Sequence, residues 1–119
     1  MSKQFVVCKT TDLPEGDRKI VEIDGKSVGV FNVGGDYYAL LNYCPHSGGT
    51  LCLGPVTGTA LPTDDYEFVY GREGSILRCA WHGWEFDIPS GRCLVDEKVR
   101  AKKYNVTIEN SDDVVVHIQ

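Results

Sequence analysis

Two short boxes of metal-seeking side chains stand out in this chain of 119 residues: Cys44-Pro45-His46 and Cys79-Ala80-Trp81-His82. Thiolate and neutral imidazole both bind zinc and both can hold an iron–sulfur centre. Each box supplies one ligand of each kind, and 32 residues lie between His46 and Cys79. The chain has five cysteines and no apolar secretory leader at Met1-Ser2-Lys3-Gln4-Phe5, which favours metal or redox chemistry over a disulfide framework. Cys8, Cys52 and Cys93 lie outside the boxes, in or beside apolar stretches, and read as small buried hydrophobes.

The elements that must position these boxes read as strands separated by tight turns. Phe5–Cys8 is a short apolar run, followed by a loop at Thr11–Gly16. Ile20–Ile23 and Lys26–Val33 flank Asp24-Gly25, a strong two-residue hairpin signal. Gly34-Gly35-Asp36 makes the next turn, and Tyr37–Asn42 leads into the first box. Beyond the second box, Trp84–Asp87 and Arg92–Val95 flank Ile88-Pro89-Ser90-Gly91 as another hairpin. Tyr104–Ile108 and Val114–Ile118, joined by Glu109–Asp113, complete the pattern. Only Asp64–Tyr70 leaves room for a short helix. The expected class is all-β and antiparallel, a sandwich or barrel, with both boxes at loop tips. Glycines after each box, Gly48-Gly49 and Gly83, let backbone N–H groups approach a bound cluster where a Cβ would obstruct them.

Zinc is the first competitor for the ligands, because a Cys2His2 set is a common structural zinc site. Zinc fingers usually group Cys with Cys and His with His. One Cys and one His per loop instead suits a [2Fe–2S] cluster in which two His replace two Cys on one iron.

With those residues in view the chain resembles a Rieske-type ferredoxin domain of the kind associated with oxygenases, over nearly its whole length. Cys44-Pro45-His46-Ser47-Gly48-Gly49-Thr50-Leu51 with Gly54 matches the family's first loop. Leu77–Asp87 followed by Ser90-Gly91 matches its second. The resemblance implies a single domain over residues 1–119, a basal β part with a small cluster-binding subdomain nested at about 43–93. It also implies one [2Fe–2S] cluster, with Cys44 and Cys79 on the buried iron. His46 and His82 would bind the outer iron and expose the edge through which electrons pass.

The resemblance further distinguishes branches. Relatives that oxidise quinol carry two extra cysteines that clamp the loops with a disulfide; those positions are Gly49 and Trp81 here, and Cys52 does not match either. High-potential relatives place hydroxyl donors where this chain has Trp84 and Phe86. Fewer hydrogen bonds to the cluster lower its potential, so a value toward the low end of about −150 to +300 mV is expected. Trp81 and Trp84 would pack around the loop or contribute to a docking face. The spacer is longer than in small oxygenase ferredoxins. Its excess, between Pro55 and Ser75, carries Asp64, Asp65, Glu67 and Glu73 against Arg72, and is either an acidic partner-recognition flap or a surface excursion.

Composition bounds the functions. The formal net charge is −5, which disfavours nucleic acid and favours basic proteins or simple solubility. No apolar run reaches the ~20 residues of a membrane span, so a cytoplasmic, non-membrane location is expected. The leading expectation is a soluble one-electron carrier, not itself an enzyme, between a flavin-containing ferredoxin reductase and a terminal non-haem iron oxygenase. Acting as the terminal oxygenase would need a mononuclear iron held by two more His and a carboxylate, and only His117 remains. His117 alternates with apolar neighbours and reads as a solvent-facing or satisfied core residue. A redox-sensing module with the same cluster is the remaining alternative.

Overall fold

The structure, a computed structural model, describes residues 3–44, 50–54, 56–62, 68–79, 84–94, 96 and 98–118, with backbone alone for 57–62 and 68–74. Its strands are β1 (Lys3–Lys9), β2 (Arg18–Ile23), β3 (Lys26–Val33), β4 (Asp36–Leu41), β5 (Val56–Pro62), β6 (Phe68–Arg78), β7 (Glu85–Asp87), β8 (Lys103–Glu109) and β9 (Asp113–Ile118). Turn chemistry accounts for the hairpins. Ile23 pairs with Lys26 across Asp24 and Gly25, at φ 52° and 77°. Those left-handed angles match the right-handed twist of the flanking strands, and Asp and Gly tolerate them.

Six strands form one antiparallel sheet in the order β1-β9-β8-β4-β3-β2. The sheet curls so that strands at both ends share a core. Cys8 of β1 and Ile23 of β2 are buried in one cluster with Val28, Val30, Ala39, Tyr104, Val114 and Val116. A surface ion pair, Lys3 to Asp24 at 3.5 Å, links β1 to the β2–β3 turn. The second sheet is β5-β6-β7. It rests on the opposite face of β3 and β4, where Phe31 and Leu40 join Leu51, Leu77, Phe86 and Ile88 in a second core. Burial on both faces explains why β3 is buried continuously from Val28 to Asn32 rather than alternating.

Two expectations are revised, and a third segment gains its form. Phe68–Tyr70 belong to β6, opposite Ala60–Pro62, and form no helix; aromatic and β-branched residues suit the pleated ladder. Asp64–Glu67 lie outside the described residues. Of the arm Arg92–Val95 after Ile88–Gly91, Val95 lies outside the described residues and the rest is not a strand. Cys93 bridges Phe86 on one side while Arg92 bridges Arg100 on the other, because the chain here crosses back toward the large sheet. Finally, the long spacer is the β5–β6 hairpin itself. β7 pairs only with Ile76–Arg78, so Thr59–Pro62 against Phe68–Gly71 is a two-stranded ribbon.

Candidate metal centre

β4 ends at Leu41 and β6 ends at Arg78, so each strand delivers a cysteine just past its last ladder position. Cys44 and Cys79 are both fully buried and in no disulfide, and they share the core that separates the two sheets. His46 and His82 lie outside the described residues. Among the described residues no three His, Cys, Asp or Glu side chains gather as a ligand set.

The first loop is seated on the large sheet at a glycine. Gly29 of β3 pairs with Leu40 of β4, and a Cβ on Gly29 would meet Cys52 Cβ and Sγ at 2.6 Å. Cys52 sits in a single 3-10 turn over Leu51–Leu53. Its thiol donates to the Leu40 carbonyl at 3.5 Å, and its N–H donates to Asn42 Oδ1 at 2.8 Å. Asn42 in turn donates to Ser27 Oγ at 3.1 Å. Burial pushes the Cys52 thiol up to about 12, with the Gly29 N–H and the Arg18 charge opposing the shift. Cys52 is therefore a protonated packing residue, and Cys8 and Cys93 are likewise buried in the cores.

Arg18 of β2 straps the same turn from outside. One guanidinium nitrogen donates to the Cys52 carbonyl at 3.0 Å and to the Gly54 carbonyl. A cation on carbonyls left unpaired at the end of a helical turn is favourable on both charge and hydrogen-bond grounds. Gly54 then touches the other loop. A Cβ there would stand 1.8 Å from the Arg78 carbonyl oxygen, one residue before Cys79. The second loop is closed at its base by the Cys79 N–H donating to the Trp84 carbonyl at 2.8 Å. Trp84 packs against the core that holds both cysteines, and Phe86 is buried within it.

Two buried, unbridged thiols at the roots of adjoining loops fit a cluster that takes one cysteine from each loop. Zinc would accept the same thiols, and it is the family that separates the two. The sequence description "Rieske [2Fe-2S] domain" matches residues 3–105. The chain belongs to the Rieske [2Fe–2S] family. The ferredoxin component of the naphthalene 1,2-dioxygenase/salicylate 5-hydroxylase systems of Ralstonia sp. is 34% identical over 100 residues, covering 83% of this chain and 81% of the relative. Two solved structures share the fold. The ferredoxin of carbazole 1,9a-dioxygenase from Nocardioides aromaticivorans IC177 has a TM-score of 0.69 at 21% identity, over 94% of this chain and 95% of that one. The Sphingomonas yanoikuyae B1 ferredoxin has a TM-score of 0.68 at 24% identity, over 96% and 98%. The Rieske cofactor is a [2Fe–2S] cluster.

Sequence reasoning had picked out Cys44, Cys79 and Gly54. It missed Arg18 and the Gly29 seat, because neither lies near the boxes in sequence. His117, outside the site, has Nε2 2.8 Å from Thr107 Oγ1 and is a satisfied strand residue. No helix among the described residues is long and apolar enough to cross a membrane.

Proposed function

We propose that this Rieske protein is a one-electron carrier that takes electrons from a flavin-containing reductase and passes them to a non-haem iron oxygenase. Cys44 and Cys79 hold the inner iron of the [2Fe–2S] cluster, and His46 and His82 hold the outer one. Residues 43–93 act as the cluster-binding part, nested within a single unit spanning 1–119, and the protein works in the cytoplasm. The cluster supplies reversible one-electron chemistry at a potential set by its surroundings. Everything else is done by the chain. Cys44 and Cys79 enter the site from the ends of two strands, Arg18 and Asn42 hold the first loop, and the Cys79–Trp84 bond closes the second.

The observation that carries this reading is the burial of Cys44 and Cys79 in one core at the roots of two loops that touch at Gly54. The potential follows from their neighbours. Phe86 fills the core beside them with a ring that has no hydroxyl to donate. Fewer donors leave the extra negative charge of the reduced state less stabilised. The midpoint is expected below zero, toward the low end of the range of about −150 to +300 mV. A redox titration with EPR of the dithionite-reduced protein tests both parts. A rhombic signal of low average g with a negative midpoint supports the reading. A zinc-loaded, EPR-silent protein overturns the ligand assignment, and a midpoint well above zero overturns the account of potential.

A further inference from the structure

Although the chain is acidic overall, five of its 12 basic residues fall between Arg92 and Lys103, with only Asp96 and Glu97 against them. From Lys98 to Lys102 the chain leaves a turn closed by the Val99 N–H to Asp96 carbonyl bond (3.1 Å), and burial alternates along it. Lys98, Arg100 and Lys102 are exposed, while Val99 packs on the core and Ala101 is buried. Successive outward positions stand at most about 6.6 Å apart even on a fully extended chain, so these three cations form a stripe no longer than about 13 Å. Arg92 widens it. The bridge between Arg92 and Arg100, bracketed by the Cys93 N–H to Val99 carbonyl bond (3.1 Å) and the Ala101 N–H to Gly91 carbonyl bond (2.8 Å), sets the two arginines directly opposite each other.

Like charges directly opposite in an antiparallel pair are destabilising. The ion pairs among the described residues use Lys3, Lys9, Arg78 and His117, and none uses Arg92, Lys98 or Arg100. At the lower end of the stripe, Lys102 stands 5.7 Å over the Tyr104 ring and Lys103 stands 5.9 Å over the Tyr38 ring, contacts that leave their positive charge facing outward. Cys93, next to Arg92, is buried in the same core as Cys44 and Cys79, which ties the start of the stripe to the unit that holds both cysteines.

We propose that the stripe Arg92, Lys98, Arg100 and Lys102 is a docking face for an acidic surface patch on one of the proteins with which this chain exchanges electrons. The inference rests on the carrier reading above. It gives the chain a local charge opposite to its net charge, so that a basic partner and an acidic partner would be attracted to different faces. A long polyanion suits the site less well. Duplex DNA carries one charge per about 1.7 Å, and beyond a stripe of at most about 13 Å it would run against a net-negative surface.

The test uses the cluster-loaded full chain and fluorescently labelled poly-glutamate as the acidic probe, read by anisotropy at about 0.15 M salt, where the screening length is about 8 Å. The double variant Lys98→Glu/Arg100→Glu should bind at least tenfold more weakly than the parent. Lys19→Glu/Lys26→Glu, with the same change in charge on β2 and β3 instead, should bind as the parent does. Arg100→Glu alone should melt at a higher temperature than the parent, because an Arg–Glu pair replaces the Arg–Arg one. Equal loss in both double variants, no binding by the parent, or tighter binding of a DNA duplex than of poly-glutamate would each overturn the proposal. Cluster absorbance measured on every sample keeps the two readings apart. A loaded protein that fails to bind refutes the stripe, whereas a protein that takes up no cluster refutes the carrier.

Discussion

Replacing Gly54 with alanine isolates the contact between the two loops. The backbone of Gly54 sits at φ −72° and ψ 167°, a conformation any residue adopts, so the substitution adds no backbone strain. Its whole effect is steric. The new Cβ would lie 1.8 Å from the Arg78 carbonyl oxygen, 3.0 Å from the Arg78 carbonyl carbon and 3.3 Å from the Leu51 carbonyl oxygen. Reaching an ordinary separation requires the first loop and the end of β6 to part by well over 1 Å. No flexible side chain can yield, since the obstacle is backbone one residue from Cys79. Overpacking costs about 1–3 kcal/mol, and a rigid obstacle argues for about 3. At roughly 3–5 °C per kcal/mol for a domain of this size, the melting temperature should fall by about 10 °C. The same displacement moves Cys79 relative to Cys44, so iron and acid-labile sulfide per chain should drop together. Gly16→Ala is the control. It has open space around it and only a left-handed φ of 89°, so it should lose about 1–2 kcal/mol and keep its cluster. If Gly54→Ala retains parental iron content and melting temperature, the loops do not meet there and the reasoning fails.

Two further outcomes follow from the same site. Arg18→Ala removes the strap to the Cys52 and Gly54 carbonyls and should lower stability by about 1.5 kcal/mol, the lower end for a charged hydrogen bond because the residue stays partly in solvent. Iron release to a chelator should quicken, and Arg18→Lys, whose ammonium also offers several N–H donors on one cationic nitrogen, should restore part of the loss; unchanged denaturation and release in Arg18→Ala would dismiss the strap. The Cys52 thiol, raised by burial from 9.0 to about 12, should make stability fall with pH. Below 9.0 both folded and unfolded thiols keep their protons. Between there and about 12 the unfolded chain loses its proton first, so stability declines across that window. Urea denaturation at pH 8 and 10 should show a smaller decline for Cys52→Ala than for the parent, and parallel declines would refute the assignment.

Local chemistry was legible from the residues alone. Asp24-Gly25 and the paired glycines Gly34-Gly35 dictate turns through their tolerance of positive φ, and the strands beside them follow. The boxes declared a mixed Cys and His ligand set by type and spacing, and an all-β frame with Cys44 and Cys79 just beyond strand ends follows from the same pattern. Misreadings arose where a residue's partner is distant. The aromatic run Phe68–Tyr70 looked compatible with a helix until its register against Ala60–Pro62 was known. Arg92–Val95 looked like a strand, but its hydrogen bonds point in two directions.

Packing across the two faces of β3 and β4 depended on the tertiary structure. Gly29 gives no sign in the sequence that it makes room for Cys52, because the contact joins residues 23 positions apart through a space only the folded sheet creates. Arg18 reads as a surface cation in the sequence and becomes the strap of the first loop only when β2 lies beside it. Arg92 and Arg100 are ordinary charges in sequence and a like-charge pair set opposite one another in space. Covalent neighbours set turn angles and ligand types, which the sequence determined. Close approach between segments that meet only on folding sets the spacing of the loops and the shape of the charged face, and only the tertiary structure decided those.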